Sequence, residues 1–414
     1  MADTARATSS ATDGPPAAYV HVGLPKTGTT YLQRWLWDHR AALAEHGLLV
    51  PGSYPAQQWH AAIALQGGTF AGHEVRAAAD ALEAVLAEVA AWPGPAIVSH
   101  EMFAAASADQ VSELVGRLAP RDVHLVVTLR DLSRVIPATW QERAKNGTTE
   151  GWRSFVSGVQ RGPGGGHHFW DLQDLPAVLD RWRSVLVPDR LHVVTVPPPP
   201  SAAAELLRRF ASVVGIPDPL LDPAGGIPPG ASNTSLGALQ VRVLQSLNDM
   251  SRGELDWDDY HRLVKGIVVH DVLSRRPDQQ PVALASTDRS WVERQTADAA
   301  AAVTDSGAVV VGDLDELTPR AFGGARTAAP EDIAADVALP EAGAVIVDLA
   351  RMVQQLRGER AAAQRATDQH ERRVHDLETA PAGEHLRRAR RALLAAHPRL
   401  RRFAAMLQPR RQRN

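Results

Sequence analysis

Residues 17–31 read AAYVHVGLPKTGTTY, and this stretch decides how the rest of the chain is read. A short apolar strand runs into Gly23-Leu24-Pro25-Lys26-Thr27-Gly28-Thr29-Thr30. A helical pattern follows, with Leu32, Trp35, Leu36 and Leu43 on one face and Gly47 as its stop. Strand, glycine turn and helix N-terminus together form an anion cradle, because free backbone N–H groups and the positive end of the helix dipole face the same point. In a nucleoside-triphosphate P-loop, GxxxxGK[ST], the lysine follows the second glycine. Here Thr29 stands in that place and Lys26 lies two residues before Gly28. The cradle is kept and the cation is moved.

Working outward, three more apolar runs read as buried parallel strands: Ala96–Ser99, His124–Leu129 and Leu191–Val196. Helical stretches separate them, at Val75–Ala91, Ala108–Leu118 and Leu172–Leu186. Strands alternating with helices predict an α/β fold around a central parallel sheet. In such a sheet ligands sit at the carboxyl ends of the strands. The Lys26 loop, Ser99-His100-Glu101 and the segment from Arg130 onward all fall there. Between Asn233 and Pro319 the pattern is mainly helical, and Val310-Val311-Gly312-Asp313-Leu314 reads as a late strand or turn.

These residues resemble the sulfotransferases that use 3′-phosphoadenosine 5′-phosphosulfate (PAPS), in a bacterial form. The resemblance implies a P-loop-like three-layer fold with a central parallel sheet, a helical second half and a C-terminal helix. It implies Lys26 on the bridging oxygen and the sulfonate, with Thr27, Gly28, Thr29 and Thr30 cradling the 5′-phosphate. Arg130, at the end of an apolar strand, matches the family's 3′-phosphate arginine. The serine expected eight residues later is Ala138, which leaves Ser133 or Thr139 to supply the hydroxyl. Family members use a Glu or a His as the base that takes the acceptor's proton. This chain has both, His100 and Glu101. Strand alternation predicts that only one faces the site, and the Ser99-X-Glu101 string resembles the bacterial form. A Glu buried beside a sulfonate is expected to have a raised pKa. Lys145 is a second candidate for contacting co-substrate or acceptor. Asn233-Thr234-Ser235 resembles a bacterial string and equally reads as a helix cap.

The implied activity is sulfuryl transfer from PAPS to a hydroxyl or amine of a glycan, glycolipid or small molecule, with no metal required. Two other readings stand beside it. A P-loop kinase or NTPase should carry GK[ST] and a strand-end Asp for magnesium. A non-catalytic binding or scaffold protein on a degenerate sulfotransferase domain would account for the Ala138 departure. Gly162–Gly166 followed by His167-His168-Phe169-Trp170 reads as a glycine-rich lid with aromatics.

Composition sets outer limits. The 414 residues are 44% hydrophobic, a globular proportion, and contain no cysteine. Disulfides and thiolate catalysis are therefore excluded, and a reducing cytoplasm fits. No run of about 18 apolar residues predicts a membrane span. A net charge of −3 hides ten Arg against one Glu in residues 381–414. The expected organisation is a disordered leader over 1–17, a catalytic domain over 18–322, a linker over 323–340, a long helix or short coiled coil over 341–380 and an Arg-rich amphipathic tail over 381–414. Val345, Leu349, Met352 and Leu356 fit two heptads, so a homodimer through residues 345–378 is an expectation. In the tail, Leu386, Leu393, Leu394, Leu400, Phe403 and Leu407 alternate with arginines, which suits peripheral contact with an anionic membrane. Nucleic acid is not expected as a partner.

Overall fold

The computed structural model describes residues 14–70, 72–199, 202–221, 235–277, 279–324, 329–379 and 383–396. Seven strands appear in chain order: β1 Ala17–His21, β2 Thr69–Phe70, β3 His73–Glu74, β4 Ala96–Ser99, β5 Asp122–Leu129, β6 Leu191–Thr195 and β7 Val309–Val311. Five of them form one parallel sheet in the order β4-β1-β5-β6-β7, and β2 and β3 make a small antiparallel hairpin. The centre of the sheet is β1 and β5, which hydrogen-bond from Ala17 opposite Asp122 to His21 opposite Val126. The protein is thus an α/β protein built on a five-stranded parallel sheet, and the late Val310 segment is its edge strand.

Parallel strands buried on both faces need apolar residues at every position. β5 shows this: Leu125, Val127 and Leu129 join one core cluster, with Val20 and Val85, while Val126 joins a second with Leu32, Leu36 and Phe210. The first cluster packs beneath the helices Ala81–Ala91, Ala108–Leu118 and Leu175–Arg183. The second packs beneath Thr29–Asp38 and Ala202–Val214. Helices therefore cover both faces.

Several boundaries shift from the sequence expectation. The first helix breaks at His39 into Thr29–Asp38 and Arg40–Glu45 before reaching Gly47. The expected Leu172–Leu186 helix is broken at Asp174, which caps a new helix by accepting from the Ala177 N–H, with Pro176 in the first turn. The chain divides into two compact units, Met1–Ala342 and Gly343–Asn414. The described part of the expected linker belongs to the first unit. Its carboxylates are tied there: Asp332 to the Arg153 guanidinium at 2.6 Å, and Glu331 accepting from the Arg153 N–H at 3.0 Å. Acidic side chains that read as solvated linker in the sequence are partners of a distant arginine.

A long helix, Ala335–Thr379, starts among the residues of the first unit and carries exposed Ile346, Val353 and Leu356 in the second, where a further helix spans Gly383–Ala396. Asn233, the leader over 1–13 and the tail from 397 onward, with Leu400, Phe403 and Leu407, lie outside the described residues. Among the described residues no helix is long and apolar enough to cross a membrane.

Candidate functional site

β1 ends at His21, and the chain turns through Gly23 at φ 87° and Gly28 at φ 95°. Both angles are left-handed, and a Cβ at either position has no room. At Gly23 it would stand 2.8 Å from the Glu101 Cβ, and at Gly28 2.5 Å from the Leu206 Cδ2. Glycine at 23 is therefore what lets the loop lie against Glu101. Lys26 is also left-handed, at φ 66°, a conformation costly for a residue with a side chain. Gly28 is the N-cap of the Thr29–Asp38 helix and offers no side chain to it. The Gly28 carbonyl closes the first turn, accepting from the Tyr31 N–H at 3.0 Å and the Leu32 N–H at 3.2 Å, and no side chain caps the N–H groups before them.

The loop is held from beneath by a polar network among buried groups. His21 Nδ1 lies 2.7 Å from Ser99 Oγ and its Nε2 lies 3.3 Å from Thr128 Oγ1. Thr128 Oγ1 lies 2.6 Å from Thr27 Oγ1, and Thr27 donates to the Leu24 carbonyl at 2.5 Å. Burial pushes His21 down to about 4, so it is neutral at physiological pH. Thr27 is consequently a strut of the loop: its hydroxyl is spent on Leu24 and Thr128. Gln173, which sequence reasoning passed over, donates from Nε2 to the Pro25 carbonyl at 2.8 Å. Thr29 is buried and Thr30 exposed at the helix start.

Arg130 comes to this loop from the end of β5. Its Nη1 donates to the Lys26 carbonyl at 3.2 Å, and its Nε is buried with no hydrogen-bond partner among the described residues. Of the two hydroxyls considered beside it, Ser133 is already used. It donates to Asp131 Oδ1 and accepts from the Ala321 N–H at 3.0 Å. Thr139 Oγ1 is buried and has no partner among the described residues. The structure thus leaves Thr139, and not Ser133, available for a ligand. Asp131 faces Arg134 at 3.4 Å, which leaves Arg130 free of the ion pair its neighbour would otherwise form.

Lys26 reaches across to the Leu132–Lys145 helix, where its Nζ lies 3.0 Å from Glu142 Oε2. The other oxygen of Glu142 accepts from Lys265 at 2.8 Å, and Lys265 also donates to Asn146 Oδ1 at 2.7 Å. Burial works to raise the Glu142 carboxyl, but Lys26 and Lys265 outweigh it and hold it at about 2. Lys145 is pushed below its usual range by burial, with Lys26 and Lys265 adding to that and Glu142 opposing it. Two lysines, Lys26 and Lys265, therefore converge on one carboxylate, and Glu142 is the acceptor they share. Its role as the hub for Lys26 and Lys265 has no local signal, since Lys265 lies in a separate helical segment, the π-helical turns Tyr260–Val272.

The third element corrects the expectation from alternation. β4 stops at Ser99 and a 3₁₀ turn, Glu101–Ala105, begins at once, with His100 as its cap. His100 and Glu101 are therefore not on opposite sides of a strand: His100 Nε2 lies 4.0 Å from Glu101 Oε2. His100 Nδ1 accepts from the Met102 N–H at 3.1 Å, and Glu101 Oε2 accepts from Gln33 Nε2 at 2.8 Å. Burial would raise the Glu101 carboxyl. The neighbouring His100, the Gln33 hydrogen bond and the charge of Lys26 together hold it below the ordinary range. The raised pKa expected from sequence is thus not what these surroundings produce. Burial lowers His100.

The glycine-rich segment is not a lid of aromatics. Phe169 and Trp170 are buried, Trp170 donates to the Val159 carbonyl at 2.9 Å, and His167 packs edge-on against Phe155 and faces Glu150 at 3.5 Å. No group of three His, Asp or Glu placed to hold a metal ion occurs among the described residues.

The site so assembled is a strand-end anion cradle with Lys26, Lys265, Lys145 and Arg130 around it and the Glu101–His100 pair at one edge. No family model matches the chain, and neither a curated protein nor a solved structure matches it.

Proposed function

We propose that the chain is a sulfotransferase that takes the sulfuryl group of PAPS and passes it to a hydroxyl or amine. Its fold would be the P-loop-like three-layer arrangement. The observation that carries the reading is the convergence of Lys26 and Lys265 on one carboxylate, beside a helix N-terminus that has no side-chain cap. Such a place favours a ligand with several negative oxygens. The buried, unpartnered Arg130 Nε and Thr139 Oγ1 add a donor and a hydroxyl in want of an acceptor and a partner. A buried polar atom left unpaired costs about 1–3 kcal/mol, which a bound phosphate would recover.

In the transfer, the acceptor oxygen forms a bond to sulfur. The bond from sulfur to the 5′-phosphate oxygen breaks, and adenosine 3′,5′-bisphosphate leaves. Glu101 receives the acceptor's proton, with His100 alongside it. Lys26 exchanges Glu142 for the oxygen on which charge grows. Lys265 keeps Glu142 occupied meanwhile. Thr27 and Arg130 hold the loop so that these groups meet the ligand without rearrangement, which is where electrostatic catalysis gains most. A kinase reading lacks the GK[ST] lysine, since Thr29 occupies that position.

The test compares adenosine 3′,5′-bisphosphate with ATP and magnesium by calorimetry, then follows radiolabelled sulfate from PAPS into sugar, lipid and phenol acceptors. Tight binding of the bisphosphate over ATP, with label transfer to any acceptor, is the expected outcome. Preference for ATP would overturn the reading, and bisphosphate binding without transfer to any acceptor would make the chain a binding protein.

A further inference from the structure

A groove of about 670 Å³ is lined by Glu74, Asn146, Arg252, Trp257, Asp258 and Tyr260, among others. Its walls are linked to the site by side-chain contacts on two sides. On one side Asn146 lines the groove and accepts from Lys265, which binds the same Glu142 that holds Lys26. On the other side runs a strip of aromatic rings. Trp257 meets the edge of Phe70 at 6.1 Å, and Phe70 meets Trp59 at 5.8 Å. Trp59 is followed by His60, and the two rings meet at 4.7 Å. The helix that carries both, Gln57–Leu65, is tied to the Glu101 turn, with Gln58 Oε1 accepting from the Ser99 N–H at 2.6 Å. The Met102 carbonyl accepts from Gln66 just beyond that helix. These contacts join the groove wall to the helix that braces the turn carrying Glu101.

We infer that this groove is the acceptor site and that it binds an uncharged sugar chain. The ring of Trp257 is held in place by His261 at 4.1 Å and by Phe70, so it presents a fixed surface rather than a mobile one. Aromatic rings bury the apolar C–H faces of sugars at small entropic cost. Around it stand groups that match hydroxyls, which both donate and accept: the carboxylates of Glu74 and Asp258, the Asn146 amide and the Arg252 guanidinium. A purely aromatic acceptor would leave these groups unsatisfied when it displaced their water. A sulfated or carboxylated chain would meet Glu74, Asp256 and Asp258 against Arg252 alone, an unfavourable balance. The volume suits several sugar rings, in the range of pockets that enclose small ligands.

The choice of acceptor rests on the sulfotransferase reading for its reaction, but not for its binding, and the two are tested apart. Maltohexaose, cellohexaose and mannohexaose, then 2-naphthol and heparin, are titrated into the full chain and followed by saturation-transfer NMR and calorimetry. Adenosine 3′,5′-bisphosphate is titrated separately, and thermal midpoints report the fold of each variant. At least one neutral hexasaccharide should bind. Trp257→Ala should weaken it by about tenfold or more, Trp257→Phe should retain most of it, and Asp258→Ala should weaken it by a few-fold, all with bisphosphate binding unchanged. The inference is overturned if none of the three sugars binds at millimolar concentration, if Trp257→Ala binds as the wild type does, or if naphthol or heparin is taken instead. Sugar binding with no bisphosphate binding would keep the groove and sink the sulfotransferase reading. The converse result would do the opposite.

Discussion

The two halves of the site are made differently. The half at the strand ends, with Lys26, Glu101 and Arg130, is fixed by short-range geometry: left-handed loop residues, a 3₁₀ turn that begins where β4 stops, and hydroxyls spent on carbonyls beneath. The helical half, with Glu142, Asn146, Lys265 and Trp257, is fixed by side chains that meet only when the Leu132–Lys145 helix packs on the Tyr260–Val272 segment. The first half is rigid before any ligand arrives. The second holds charge in reserve, since Glu142 neutralises the lysines that a ligand would otherwise engage. The lesson is that local backbone geometry shapes the strand-end half, while the packing of helices decides which charges meet there.

This contrast breaks if the strand-end residues prove dispensable. Glu101→Gln should cost the largest factor, about 10²–10⁴ in turnover, with bisphosphate affinity kept. His100→Gln should cost less, since His100 acts beside Glu101 and as the cap of Met102. A dead His100→Gln with an active Glu101→Gln would exchange their roles. Lys26→Ala should reduce turnover by about 10²–10³, more than it weakens binding. Lys265→Ala should fall well below that, because its charge reaches the ligand only through Glu142. Equal losses in single-turnover assays would erase the distinction between the halves.

Arg130→Ala should weaken adenosine 3′,5′-bisphosphate by tens-fold while sparing adenosine 5′-phosphate, as expected for a charged hydrogen bond worth about 1.5–3 kcal/mol. Thr139→Val should show a smaller loss in the same comparison and Ser133→Ala none specific to the 3′-phosphate, since Ser133 already serves Asp131 and Ala321. Calorimetry with both nucleotides decides this.

The smallest effect is on stability. His21 falls from an ordinary 6.5 to about 4 in the folded protein, so the unfolded chain binds its proton first. Stability from this group is complete above about pH 6.5 and is lost as pH falls toward about 4, by an amount on the order of 2–3 kcal/mol. His192, also held at about 4, adds to the same window from another strand on the same face of the sheet. Urea midpoints measured at neutral and mildly acid pH should fall toward acid, and His21→Asn should flatten that slope in part. An unchanged slope would mean that the buried network beneath the loop carries no proton linkage.

Much of the strand-end half was legible because its causes are local. The Lys26 loop, the four sheet strands and Arg130 at the end of β5 follow from apolar runs and glycine placement, which act over a few residues. Ser133 and Thr139 could not be told apart in the same way. Both are hydroxyls on one helix, and only tertiary contacts such as the arrival of the Ala321 backbone spend one of them. The separation of His100 from Glu101 was misjudged because alternation holds only while the strand continues, and β4 ends one residue before the pair.

The order of chemistry along the chain was thus determined by sequence alone: an anion cradle with a displaced lysine, an acid and a histidine at a second strand end, and an arginine at a third. Backbone conformation and burial of apolar runs are set by near neighbours, and those a reader can see. Which charge neutralises Lys26, which hydroxyl remains for a ligand and where an aromatic groove opens were decided only by tertiary structure. Each depends on the meeting of side chains far apart in the chain, and the free energy of such a meeting comes from the packing of whole helices rather than from any local pattern.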